Sequence, residues 1–433
     1  MTQEEALNVM KMGYNVFLTG PPGSGKTYLL NQYVEYLKEN HKSVAVTAST
    51  GVAATHMNGT TLHSWSGLGI KEDLTKGDIN RLMRKPYLRK HYNNTQILVI
   101  DEISMLTANQ FDAVDRAARR FKKSFSAFGG MQVVCSGDFF QLPPINKDGK
   151  ARFVVESQAW KGMDMKVCYL EEQHRQKDKN LFDLLNHIRN NNINESKKIL
   201  AARKEEELPD IHIKLYTHNV DVDAVNSVEL DKIEGKEFVY HMTAIGRHEI
   251  VNALKRSCLA PERLVLKKGA RVMFLKNNFE VGYVNGTQGN VIGFESDDSP
   301  IIKTTCGRKI TAQLASWTVD EEGKIIARLN QLPLRLAWAI TVHKSQGMNL
   351  DSAEIDLSKC FVEGMGYVAL SRLRTLAGLK LTAINDMAFY INKDAFDIDK
   401  YLMEESKRVA RKLKKLSSGE AEKMHEQFIM GMA

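Results

Sequence analysis

The run Gly20-Pro21-Pro22-Gly23-Ser24-Gly25-Lys26-Thr27 constrains this chain more than any other stretch. It matches G-x-x-x-x-G-K-[ST] in full, with a short apolar strand at 15–19 before it and helical spacing over 28–38 after it. Glycines at these positions let successive backbone N–H groups curl round phosphate oxygens. The N-terminus of the following helix adds its partial positive charge. Lys26 is placed to reach the β- and γ-phosphates of a nucleoside triphosphate and Thr27 to ligate Mg²⁺. Strand–loop–helix units of this kind are built on parallel sheets covered on both faces, so the expected class is α/β.

Further strands are expected at 43–47, 96–100 and 132–135. Phe111, Val114, Ala118 and Phe121 recur at helical intervals, which predicts an amphipathic helix over 107–123. The strand at 96–100 delivers Asp101 and Glu102 to its carboxyl end. Asp101 is suited to holding Mg²⁺, directly or through water, and Glu102 to orienting or deprotonating an attacking water. An acidic pair after a strand is also a common helix start; coupled to the phosphate loop, it separates hydrolysis from transfer to a small-molecule acceptor. Gln141, in Gly137-Asp138-Phe139-Phe140-Gln141-Leu142-Pro143-Pro144, is a candidate sensor of the γ-phosphate. The plainer reading is that these residues shape a loop.

The totals narrow the setting. With 433 residues the chain exceeds one comfortable core. Its 60 Lys+Arg against 52 Asp+Glu, and a pI near 9.0, suit a polyanionic partner without demanding one. Five scattered cysteines contain no CxxC pair, which argues against zinc, iron–sulfur or disulfide frameworks. No apolar run approaches the roughly 18 residues that span a bilayer. The expectation is an intracellular, soluble protein without a membrane partner, cytoplasmic and nucleoid-associated in a bacterium.

Texture changes along the chain. A polar, basic stretch at 66–94 reads as a surface insertion in the first domain. Polar residues near 176–179 mark a boundary, after which a strand at 211–216 and a helix at 221–233 open a second α/β unit. From 263 to 333 short strands and the turn signal Asn285-Gly286 suggest a small inserted barrel. The tail from 401 is helical and charge-rich, open between a DNA contact and a solvated helix, with the solvated helix the plainer reading.

Taken in order, the segments GPPGSGKT, VTASTGVAATHMNGTTLHSW, VIDEISML, FGGMQVVCSGDFFQLPP, LEEQHRQ, AITVHKSQG and YVALSRLR resemble the superfamily-one DNA helicases. The similarity is to the PIF (petite integration frequency) family, in the branch holding RecD-like and phage Dda helicases. It implies two RecA-like P-loop motor domains, with a small accessory insertion in the first and an SH3-like β-barrel insertion in the second. Motor domain 1 would span 1–175 with the accessory part near 66–94. Motor domain 2 would span 176–262 and 334–400, the SH3-like part 263–333 and the tail 401–433.

The resemblance also assigns roles. Gln3 stands at the position that recognises adenine, and Gln346 and Gly347 join the ATP-binding set. Arg175 and Arg372 look like two arginine fingers, one from each motor domain, where planar and permanently charged donors stabilise the transferring phosphoryl group. Thr50, Thr61, His63, Thr341, His343 and Lys344 become candidate DNA contacts, of the kind that bind phosphates without reading sequence. Trp65 and Trp338 are open between base stacking and core.

The implied function is ATP-dependent 5′→3′ translocation on single-stranded DNA. Forked duplex and G-quadruplex DNA are candidate substrates, in repair, recombination, replication or telomere maintenance, with a monomer acting. Rivals stay open: a RecD-like subunit of a nuclease complex, a DNA-stimulated ATPase that does not unwind, a nucleotide kinase or GTPase, and a non-enzymatic DNA binder.

Overall fold

A computed structural model describes the chain except residues 58, 69–74, 143, 145–151, 172–177, 209–211, 259, 279, 284, 322–323, 349 and 432–433. It divides into two compact units, Met1–Lys177 with Tyr390–Ala433, and Asp178–Phe389.

Unit 1 is built on six strands: β1 (Val16–Thr19), β2 (Val44–Ala48), β3 (Thr60–Thr61), β4 (Ile97–Asp101), β5 (Gln132–Ser136) and β6 (Lys166–Tyr169). All are parallel, in the order β3-β2-β4-β5-β1-β6. Side chains alternate across a strand, and here the alternation feeds two apolar clusters. Ile97 and Val99 of β4 pack with Val16, Leu18 and the helices α1 (Gln3–Lys11) and α2 (Lys26–Glu39). Leu98 and Ile100 pack with Phe17 and α3 (Ala108–Lys122) on the other side. Phe111, Val114, Ala118 and Phe121 form the buried stripe of α3, as their spacing predicts. Thr107 caps that helix, in a capping box with Gln110.

After α3 the backbone turns through left-handed conformations at Phe128 (φ 50°), Gly129 (66°) and Gly130 (83°). Asp115 Oδ1 accepts from Phe128 N at 2.6 Å and from Arg119 Nε at 2.9 Å, which fixes the turn to the helix. A Cβ on Gly129 would lie 2.8 Å from Lys122 Cβ, so glycine is needed there.

The 66–94 stretch, expected as a surface insertion, also contributes side chains to the core. Helices Lys76–Met83 and Pro86–Asn94 form there, and Leu88 and Tyr92 are fully buried. The Tyr92 ring stacks on Phe121 at 4.4 Å and meets Trp65 at 4.8 Å. Lys122 Nζ donates to Tyr92 O and Thr95 O, satisfying carbonyls at a helix end. Trp65 is therefore core.

The charge-rich tail is also not simply solvated. Helix Lys393–Leu413 inserts Ala395 and Leu402 among Trp160 and Tyr169, and Ser406 Oγ accepts from Tyr169 N at 2.9 Å. Helix Ser418–Met430 brings Phe428 to Gly13, where a Cβ would stand 2.6 Å from its ring. The sequence reading carried the second domain to residue 400; the compact units divide at Phe389/Tyr390.

Unit 2 contains a parallel sheet of β7 (Ile213–Tyr216) and three later strands, β18 (Ala339–Thr341), β19 (Ala353–Leu357) and β20 (Leu379–Ile384), in the order β18-β7-β19-β20. Between β7 and β18 lie antiparallel strands. Five of them, β11 (Arg271–Phe274), β12 (Gln288–Phe294), β13 (Pro300–Thr304), β14 (Lys309–Thr311) and β17 (Leu334–Leu336), form a sheet in the order β14-β13-β12-β11-β17. Strands β9 (Thr243–Gly246), β15 (Ala315–Glu321) and β16 (Lys324–Gln331) form a second, and β8 (Phe238–His241) pairs with β10 (Arg263–Leu266). The β-rich part thus begins at Phe238 and ends at Leu336, wider at both ends than 263–333. Leu264, Val272, Phe274, Val291, Ile302, Leu334 and Trp338 share its core, which settles Trp338 as structural. Among the described residues no helix is long and apolar enough to cross a membrane.

Candidate functional site

The phosphate loop leaves β1 at its carboxyl edge. Gly20 (φ 141°), Gly23 (89°) and Gly25 (83°) hold conformations that L side chains resist, and a Cβ on Gly20 would fall 2.5 Å from Leu170 O. Gly25 is the N-cap of α2 and has no side chain to satisfy the first N–H groups, which stay directed at the loop. Pro21 and Pro22 stiffen the ascent, and Ser24 is fully buried. Lys26 Nζ donates to Gly20 O at 2.8 Å and Pro21 O at 3.1 Å, so the ammonium lies over the loop it serves.

Parallel strands bring their carboxyl ends to one edge, and the order β4-β5-β1 leaves a single strand, β5, between the acidic strand and the strand that carries the loop. Thr27 Oγ1 donates to Asp101 Oδ2 at 3.4 Å. Asp101, 5% exposed, also accepts from Glu102 N at 2.9 Å and from Ser136 Oγ. Two hard oxygen donors, a hydroxyl and a carboxylate, converge beside the loop, and such a pair fits Mg²⁺. Glu102 follows with φ 52° and ψ 44°, a left-handed non-glycine residue of the kind held in place at working sites.

Gln3 opens α1 behind a Thr2 capping box with Glu5, and its Nε2 donates to Ser24 O at 3.1 Å. It is anchored to the phosphate loop. Gln141 is buried on the loop after β5, its N–H donating to Asp138 O at 3.1 Å. Gly137 on that loop packs against Ile103, where a Cβ would stand 3.1 Å from its Cγ2. Ser136 was missed as a site residue; a lone serine before Gly-Asp carries little signal until its contact with Asp101 is seen.

The candidate DNA residues divide between the units. In unit 1, Thr50 Oγ1 accepts from Ala53 N at the start of Gly51–His56, and Thr61 Oγ1 accepts from Ser64 N at the start of Leu62–Ser66. His63 is half-buried on that short helix, and burial pushes its pKa down, favouring the neutral ring. In unit 2, Thr341 Oγ1 accepts from Lys344 N and caps Val342–Ser345. All three threonines end a strand–cap–helix step, with hydroxyls that serve the backbone first.

Also in unit 2, burial followed by the charge of His218 holds His343 below its ordinary pKa. The exposed Phe361 ring lies 4.9 Å from His218 and 6.2 Å from His343. Nothing in the spacing of Phe361 singles it out. Gln346 is buried behind the helix and Gly347 follows at φ 80°. Arg372 is 3% exposed, donating from Nε to Val368 O at 3.0 Å and from NH2 to Ser371 Oγ at 2.8 Å. Arg175 lies outside the described residues.

Two family models match this chain: PIF1-like helicase over residues 3–200, and DNA helicase Pif1, 2B domain, over residues 249–294. A protein of Psychrobacter sp. (strain PRwf-1), the ATP-dependent DNA helicase Pif1, is 41% identical over 494 residues, covering 99% of this chain and 75% of that one. The human ATP-dependent DNA helicase PIF1 is 37% identical, and the alignment covers 90% of this chain but only 62% of the human protein. The crystal structure of the Pif1 helicase from Candida albicans superposes with a TM-score of 0.80 at 32% identity, covering 92% of this chain and 98% of that one. A Bacteroides Pif1 helicase in complex with ADP-AlF3 and ssDNA superposes at 0.70 with 31% identity, covering 93% and 96%.

Proposed function

This chain belongs to the PIF1-like helicase family of ATP-dependent DNA helicases, and on that premise we propose how its own residues do the work. The nucleotide's phosphates are wrapped by the N–H groups of Gly20–Thr27, with Lys26 countering the charge of the β- and γ-phosphates. Thr27 and Asp101 would hold Mg²⁺, which when bound neutralises charge on the phosphate oxygens. Glu102 orients the attacking water and takes up its proton. Arg372 and Arg175 stabilise the charge that spreads over the γ-phosphoryl group, and Gln141 senses its presence. Gln3, Gln346 and Gly347 complete the nucleotide set, Gln3 by way of adenine.

DNA is held by Thr50, Thr61, His63, Thr341, His343 and Lys344 through its backbone, so that the motor steps on any sequence. We assign 5′→3′ movement on a single strand and unwinding at a fork, with G-quadruplexes as a further substrate and a monomer as the acting unit. Motor domain 1 at Met1–Lys177 with Tyr390–Ala433, motor domain 2 at Asp178–Phe389 with an SH3-like part inside its β-rich stretch, and a duplex-splitting part near 66–94 are the division we propose. The observation that carries this reading is the convergence of Thr27, Asp101 and the strained Glu102 beside a phosphate loop built on left-handed glycines.

The deciding experiment offers forked DNA carrying only a 5′ or only a 3′ single-stranded tail, with ATP and Mg²⁺. Strand separation from the 5′-tailed fork alone is the expected result. Separation from the 3′-tailed fork alone reverses the polarity, and none from either leaves only an ATPase.

A further inference from the structure

Unit 2 contains a cavity of about 540 Å³ bordered by helix Asn219–Asp231, β10, β17 and the short helix Val342–Ser345. Two cations line it. Arg335, on β17, is 9% exposed, and its Nε is buried with no acceptor. Its guanidinium makes no hydrogen bond or ion pair among the described residues. Lys344, half-buried, likewise has no ion pair there for its ammonium. Burial pushes both below their ordinary pKa values, and the two cations lie close enough that Arg335 lowers Lys344 further.

One carboxylate, the exposed Asp223, is felt by both cations without pairing with either. At the rim Arg263 and Asp231 are exposed, and Glu237 is paired with Lys267 at 3.4 Å. Two cations and one carboxylate leave an inner charge of one positive unit. A guanidinium cannot shed its proton to escape burial, so a buried arginine without a partner is costly unless an anion arrives.

We propose that Arg335 and Lys344 together seat one phosphate of the bound DNA strand, adding a subsite to the backbone contacts assigned above, on whose reading this one rests. Three observations select a strand. Lys344 belongs to the same capped turn as Thr341 and His343. The single positive charge matches a phosphodiester, which carries one negative charge, better than a phosphate monoester, which carries −1.5 to −2. The cavity opens beside carboxylates that would repel a more highly charged ion.

The test uses the full chain and a fluorescent oligo-dT, with affinity measured by anisotropy across a KCl series. Each neutralised phosphate of a single strand contributes about 0.7 to the slope of log affinity against log salt. Arg335→Met should lower the slope by about that amount and weaken binding, while Arg335→Lys should largely keep it. Because one phosphate is shared, the Arg335→Met/Lys344→Met double variant should lose no more slope than either alone. If Arg335→Met does not fold, Arg335→Gln, which keeps a polar side chain in the strand without its charge, reads the same slope.

An unchanged slope in a folded variant, with the parent protein binding DNA in a salt-dependent way, overturns the subsite and leaves the motor reading standing. Absence of DNA-stimulated ATP turnover in the parent protein overturns that reading, and the subsite with it. Inorganic phosphate, at ionic strength matched with KCl, should not compete. Competition in the parent that Arg335→Met abolishes would assign the seat to free phosphate and overturn the strand assignment.

Discussion

In the sheet of unit 1 the chain leaves β1 through Gly20–Gly25 before α2 begins, and three of those residues are glycines with positive φ. In the sheet of unit 2 it leaves β7 at Tyr216 and starts helix Asn219–Asp231 after only Thr217 and His218. Both edges present the positive end of a helix after a parallel strand. Only the loop after β1 has backbone free to wrap a triphosphate, because its glycines permit left-handed turns, whereas Thr217 and His218 alone follow β7. Both edges do share the threonine-capped step, at Thr50 and Thr61 in one unit and Thr341 in the other. The phosphate loop is thus an elaboration of one edge, whereas the capped step is common to both.

Substitutions can break that contrast. Lys26→Ala should take ATP turnover to assay background, while nucleotide-free DNA binding persists; phosphate release and anisotropy read the two separately. Retained turnover would move the nucleotide site away from unit 1. Arg372→Ala should slow turnover by ~10³-fold with DNA affinity kept. A loss of DNA affinity instead would place Arg372 in the strand track of unit 2. Glu102→Gln should cost ~10²-fold or more in single-turnover hydrolysis and leave ATP binding intact. Weak ATP binding in that variant would mean that Glu102 holds the loop's geometry and does not serve the water.

Two smaller effects sharpen the comparison. Leu402→Ala should destabilise unit 1 by about 2–5 kcal/mol in urea unfolding, splitting the transition because unit 2 does not depend on that side chain. A single shifted transition would show that the two units unfold together. Thr61→Val and Thr341→Val should each cost about 1 kcal/mol through the lost cap, with similar losses in DNA affinity. A loss in one unit only would mean that one edge carries the strand.

The nucleotide edge was legible because its chemistry is local. A loop needing glycine, a lysine one step into a helix and a carboxylate at a strand end all leave their mark at fixed spacing. Strands β4 and β5 and the stripe of α3 were equally plain, being long and strongly patterned. What stayed hidden depended on distant partners. Strand β3 has two residues and β6 begins with a lysine, so neither shows a run. Tyr92 sits in a polar stretch and is explained only by Phe121 and Trp65. The charged helix Lys393–Leu413 hides Ala395, Leu402 and Ser406 among solvated neighbours. Arg335 looks like any strand residue until its burial is known.

The bond from Tyr169 N to Ser406 Oγ reaches across 237 positions of chain, with all of unit 2 threaded between its ends. Strand β6 borders the sheet, and the helix Lys393–Leu413 shields that border from pairing with another molecule. During synthesis the earliest unit to emerge is therefore the last to be finished. Until Tyr390–Ala433 has been made and has docked, its margin is open, and a nascent chain has reason to be guarded by chaperones over that interval.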